Sequence, residues 1–151
     1  MRIAFLVPGP LSATSGGYIY DRRLIAGLEA LGHMVRVVEL AGRHPLPDAA
    51  AQAAAQAALD GLAADELAVL DSLGIPAFAP LAGRLGGAVG LIHHPTQLEA
   101  GQDATTLGPM ERAVYAGMAR LVATSALTAR GLPAMGADPA RLGVVEPGTD
   151  P

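Results

Sequence analysis

The stretch from Leu91 to Gly101, LIHHPTQLEAG, carries the densest chemistry in the chain. His93 and His94 stand side by side, Pro95 follows, and Glu99 lies five residues after the second histidine. An apolar run from Ala88 to Ile92 leads into the pair. Polarity at the tip of a buried strand is costly unless something uses it, and imidazole titrates near neutral pH. The pair therefore suits hydrogen bonding or proton transfer to a ligand. The plainer account is two histidines satisfied within a polar loop. Adjacent residues on a strand point to opposite faces, so only one of the two is expected to aim into a given pocket unless the chain turns between them. Glu99 and Asp103 could be recruited by a metal. No zinc-type spacing such as H-E-x-x-H is present and there is no cysteine, so no metal site is expected. No G-x-S-x-G elbow offers a serine nucleophile.

A second chemical stretch is PGPLSATSGG, Pro8 to Gly17. Gly16 and Gly17 stand where a helix begins, and free N–H groups with the helix dipole favour an anion such as phosphate there. A flexible turn without a ligand is the alternative. The G-x-G-x-x-G dinucleotide fingerprint is absent, as is the Gly-Lys-Ser/Thr of a P-loop. Asp71 ends a short apolar run and is read equally as a ligand-side carboxylate or as a turn cap. Glu39 sits where a ribose-binding acid would, but without the glycine fingerprint it reads as a solvated acid. His33 and His44 read as surface residues.

The elements that must position these groups alternate. Apolar runs at 3–7, 35–40, 67–70, 88–92, 121–123 and 142–145 are expected strands. Between them, 18–31 has helical spacing at Ile19, Leu24, Ile25, Leu28 and Leu31, with Gly32 as its stop. An alanine-rich helix over 49–64 is capped by Asp48, and a short helix is expected over 76–85. Residues 95–108 read as a long polar loop, with Pro109 opening a helix to about 119. Ser125 caps a helix through Leu132. The alternation predicts one α/β domain over 1–151, a mostly parallel sheet of six or seven strands with helices on both faces. In such sheets ligands bind at the carboxyl ends of the strands. The residues to watch are then Pro8 to Gly17, Glu39, Asp71, His93 to Glu99, Thr124-Ser125 and Glu146 to Asp150. The runs at 3–7 and 88–92 precede the two richest loops and are expected to be adjacent and central.

Composition narrows the field. Hydrophobic residues at 51% against 16% charged provide a sizeable core. The net charge of -4 argues against a nucleic-acid partner, which would want a basic face. It gives no general pull toward anionic lipid, although a local peripheral contact is left open. Pro8, Gly9 and Pro10 cut the first apolar run short of a signal core or membrane span, so a cytoplasmic protein is expected.

Several segments together resemble a known family. The start MRIAFLVPGP, the Gly16-Gly17 pair, LGHMVRVVEL, the His93 strand tip, VATSALTARGL and the closing RLGVVEPGTDP are similar, in this order, to the N-terminal half of retaining GT-B glycosyltransferases of the group 1, or family 4, type. The resemblance implies a Rossmann-like acceptor-side domain facing a cleft. It implies Gly16 or Gly17 against the phosphates of a nucleotide-sugar donor, and Asp71 is taken with them, on the donor's phosphate or sugar side. It also implies His93 near the transferred sugar, and with it His94 and Glu99. The Pro-Gly-x-Asp ending resembles the entry to a linker, so a C-terminal donor-binding domain is expected beyond this chain. Neither cofactor nor metal is implied, the donor being a substrate. Two other readings compete: a free-standing nucleotide- or sugar-binding module without catalysis, and a nicotinamide-dependent oxidoreductase, which the missing fingerprint disfavours.

Overall fold

The computed structural model describes residues 1–148; Thr149, Asp150 and Pro151, and with them the Asp150 expectation, lie outside the described residues. Six strands form one all-parallel, Rossmann-like sheet: β1 (Arg2–Pro8), β2 (Met34–Leu40), β3 (Glu66–Asp71), β4 (Val89–Ile92), β5 (Arg120–Ala123) and β6 (Leu142–Val144). Their order across the sheet is β2-β1-β3-β4-β5-β6. The runs at 3–7 and 88–92 are both interior but not adjacent, because β3 lies between them. The chain's direction across the sheet reverses between β1 and β3, and that reversal opens a crevice at the strand ends.

Residues 3–7 are all buried because both faces of β1 are covered. Ile3, Phe5 and Val7 meet α1 (Gly16–Ala30) on one side. Ala4 and Leu6 face the opposite core, built from α2 (Ala49–Asp60), a 3-10 segment (Ile75–Arg84) and α3 (Ala104–Gly117). The alanines of α2 that touch the sheet, Ala51 and Ala55, are fully buried. A last short helix, α4 (Ala126–Gly131), follows β5 under its Ser125 cap.

Helix α1 starts at Gly16, with the Ser15 hydroxyl accepting from the Tyr18 N–H at 3.1 Å. It stops through a Schellman turn: Gly32 at φ 86° donates to the Glu29 carbonyl, and His33 donates to that of Leu28. Its buried stripe is Tyr18, Asp21 and Ile25, with Leu24 and Leu28 half-buried, whereas Leu31 is exposed. The expected stripe was thus rotated toward Ile19 and Leu31, and it passed over a carboxylate on the buried face.

Several expectations need correction. Residues 95–108 are not one loop, since a 3-10 turn occupies Thr96–Leu98 and α3 already begins at Ala104. Asp103 caps α3 by accepting from the Thr106 N–H and hydroxyl, so Pro109 lies inside the helix rather than opening it. The short helix expected over 76–85 is present as a 3-10 segment, Ile75–Arg84, which suits a run with Pro76 and Pro80 each lacking a donor. Finally, α2 ends at Asp60 against the Gly61 cap, four residues short of 64.

Candidate functional site

The pleat of the sheet decides which groups meet. Val69 and Leu91 face the α1 side, so Asp71 and His93, each two residues further on, face it too. Asp21 points down from the buried stripe of α1 to the same place. The His93 Nε2 lies 2.8 Å from Asp21 Oδ1 and 3.3 Å from Asp71 Oδ2. Asp21 is fully buried and the Asp71 side chain is 2% exposed, while the imidazole keeps 18% exposure. Ser72 Oγ accepts from the His93 N–H at 3.2 Å. The Tyr20 ring meets the imidazole edge-on, with centroids 5.2 Å apart.

Gly17 is why the ring fits. A Cβ at that position would stand 3.2 Å from His93 Cδ2, tighter than side chains normally pack. The glycine expected to admit a phosphate thus admits the histidine ring.

Charge follows from these contacts. Burial works against a cationic His93, but the hydrogen bonds and charges of Asp21 and Asp71 outweigh it and raise its pKa to about 9. Asp21 is pushed up to about 6 by burial, against the pull of its His93 bond and with a further push from the Asp71 charge. The His93 ring is therefore favoured as an imidazolium beside the two acids. Tyr18 borders both acids and donates to the Pro8 carbonyl at 2.6 Å; burial and then the Asp71 charge lift its phenol to about 12.

Tyr18, Asp71 and His93 line one wall of a cleft of about 300 Å³ at the carboxyl ends of β1, β3 and β4, with Asp21 buried behind them. Gly17, Asp71, His93, His94 and Glu99 all line it, together with Ser15, Tyr18, Ser72, Leu73 and Thr96. Both histidines reach it because β4 ends at Ile92 and the chain bends at His93 and His94. Gly16 is the exception: it lines a neighbouring hollow with Ile19, Tyr20 and Glu146.

Asp71 is the turn cap, its Oδ1 accepting from the Leu73 N–H, and its Oδ2 faces His93. Glu39 is exposed, as expected of a solvated acid, and its Oε1 accepts from the Leu11 N–H at 2.8 Å, which holds the loop after β1. His33 and His44 are half-buried rather than superficial, and each has a buried Nδ1 without a partner. Ser125 reaches the site indirectly: it accepts from the Thr128 N–H, and the Thr128 hydroxyl donates to the His93 carbonyl at 3.4 Å.

Two acids were missed from the sequence. Asp21 had one signal, a lone carboxylate in register with Tyr18 and Ile25 on a helix face. Glu111 of α3 is fully buried and accepts from the Thr96 N–H and hydroxyl, each at 2.6 Å, and from the Gln97 amide at 2.8 Å. It clamps the turn that carries His94 and Glu99 over the cleft.

Asp21, Asp71 and His93 each offer a ligand atom, all within 4.8 Å of one another, so these residues could hold a cation. The ligands come from three elements far apart in the chain, where sequence spacing carries no signal. Among the described residues no helix is long and apolar enough to cross a membrane. No protein-family model matches the sequence, and no curated protein matches it.

Proposed function

We propose that this chain is the acceptor-side domain of a cytoplasmic retaining glycosyltransferase that moves a hexosyl group from a nucleotide sugar to an acceptor. One observation carries the reading. Gly17, Asp71, His93, His94 and Glu99, drawn from separate stretches, line a single cleft at the point where strand order reverses. They include the residues on which the resemblance rests its donor and sugar contacts.

The chemistry suits the wall. Departure of a nucleoside diphosphate builds negative charge on the leaving group and positive charge on the sugar. The N–H of Gly17, in the first turn of α1, is the group to meet the former, and His93 is the one to hydrogen-bond the sugar. Glu99, which lines the same cleft, offers a carboxylate to the latter. His94, exposed at the bend, is placed to orient an acceptor hydroxyl.

The cleft lacks one thing a diphosphate needs. All ten basic side chains of the chain are arginine, and none of them lines it. A donor-binding domain beyond this chain would supply that charge and the second wall. The isolated domain should accordingly bind nucleoside diphosphates only in about the millimolar range and transfer no sugar. Amide chemical shifts of the labelled domain, followed during titration with nucleoside diphosphates and their sugars, test this. Shifts at Gly17, Ser72, His93 and His94 with weak affinity support the reading; shifts confined to other surfaces overturn it. Micromolar affinity would favour a free-standing binding module, a reading that draws on the sheet's having its own core on both faces.

A further inference from the structure

Asp21 is an expensive residue. It sits fully buried in an apolar helix stripe, and its Oδ2 has no hydrogen-bond partner among the described residues. A buried carboxylate with an orphaned oxygen weakens a fold, so its other oxygen must do something an apolar side chain could not. That oxygen holds His93 Nε2 at 2.8 Å.

The rest of the ring's surroundings leave it one orientation. Its Cδ2 edge packs on the bare backbone of Gly17, and Tyr20 closes one side. Rotating the ring by half a turn would set a C–H group against two carboxylates. Nε2 therefore faces inward, and Nδ1 lies on the opposite edge from Cδ2. Nδ1 makes no hydrogen bond among the described residues and is not among the buried unpartnered atoms, while His93 lines the cleft.

We propose that Asp21 is a positioning residue which, with Asp71, binds Nε2 and holds the His93 ring in one orientation, so that Nδ1 is the atom presented to the ligand. Asp21 touches no ligand itself, because the cleft lining excludes it. The titratable groups facing the ring are Asp21 and Tyr20 from α1 and Asp71 from the end of β3, with Tyr18 beside both acids. The proposal rests on the glycosyltransferase reading only for what the ligand is.

Long-range proton–nitrogen spectra of the whole 15N-labelled chain, recorded against pH, decide it without any ligand. His93→Gln identifies the resonances. The expected wild-type result is a doubly protonated His93 ring at pH 7 that deprotonates near pH 9. Asp21→Asn, whose amide spectrum should otherwise superpose on the wild type, lowers that midpoint by at least one pH unit. A wild-type midpoint near 6.5, or an unchanged midpoint in Asp21→Asn, overturns the proposal. So does a change in the Nε2 resonance on adding micromolar Zn2+ or Mn2+, because a metal ion and not a proton would then join the three side chains. Should Asp21→Asn fail to fold, the wild-type midpoint and Asp71→Asn decide the matter. The measurement thus succeeds or fails apart from the enzyme assignment.

Discussion

His93 carries its charge because two buried acids surround one of its nitrogens, and that has a consequence for stability. Its folded pKa of about 9 lies above the ordinary 6.5, so its stabilising contribution is complete below pH 6.5 and is lost as pH rises through 9. Asp21, raised from 3.8 to about 6, acts in the same direction at lower pH: the folded state prefers its neutral form, so stability falls as the acid ionises. Urea unfolding should show the wild type losing on the order of 3 kcal/mol more than His93→Gln between pH 6 and pH 10, the free energy that corresponds to lifting an imidazole from its ordinary pKa to about 9. A parallel fall in the two proteins would refute the charge assignment. On the proposed glycosyltransferase reading, His93→Ala is expected to lower turnover about 10²-fold while the domain's fold persists. Near-normal turnover together with unfolding would make the residue structural. His93 was legible as chemistry because it breaks an apolar run. Asp21 was not, because one acid among helical apolar positions reads as solvent-facing until the helix is seen to rotate.

The elements around the cleft are set by short-range signals of unequal clarity. Asp48, Ser125 and Gly32 act as the cap and stop residues their types suggest. The run TTLG before Pro109 looked like a loop, yet Asp103 starts a helix there and buries Leu107 completely. What anchors that helix to the site is Glu111, 15 residues from the Thr96 it binds, a separation no local pattern records. Glu111→Ala strands the Thr96 and Gln97 donors in the interior. It should cost about 3 kcal/mol by denaturant unfolding, the scale of removing a buried charged acceptor. Amide hydrogen exchange at 96–98 should accelerate more than exchange in β1. Uniform acceleration across the chain would mean that Glu111 supports the whole fold rather than this turn.

For the molecule as a whole, the alternation of runs made the α/β class legible, since helical and extended periodicities differ along the chain. Strand order was not. Nothing local to β1 or β4 says that β3 comes between them, and yet that insertion places Asp71 and Ser72 beside His93. The ends of β1, β3 and β4, each of which carries a residue read as a candidate, meet because of that order. One contact in that site also gives the molecule an optical property. The chain has no tryptophan and three tyrosines, so its near-ultraviolet emission comes from Tyr18, Tyr20 and Tyr115 alone. Tyr20 holds its ring edge-on to the His93 imidazole. The protonation state of that imidazole therefore bears on the Tyr20 emission, so the emission of unlabelled protein should change as pH rises through about 9, and Tyr20→Phe should remove that change. The domain then contains its own indicator dye, wired to the one charge on which its cleft depends.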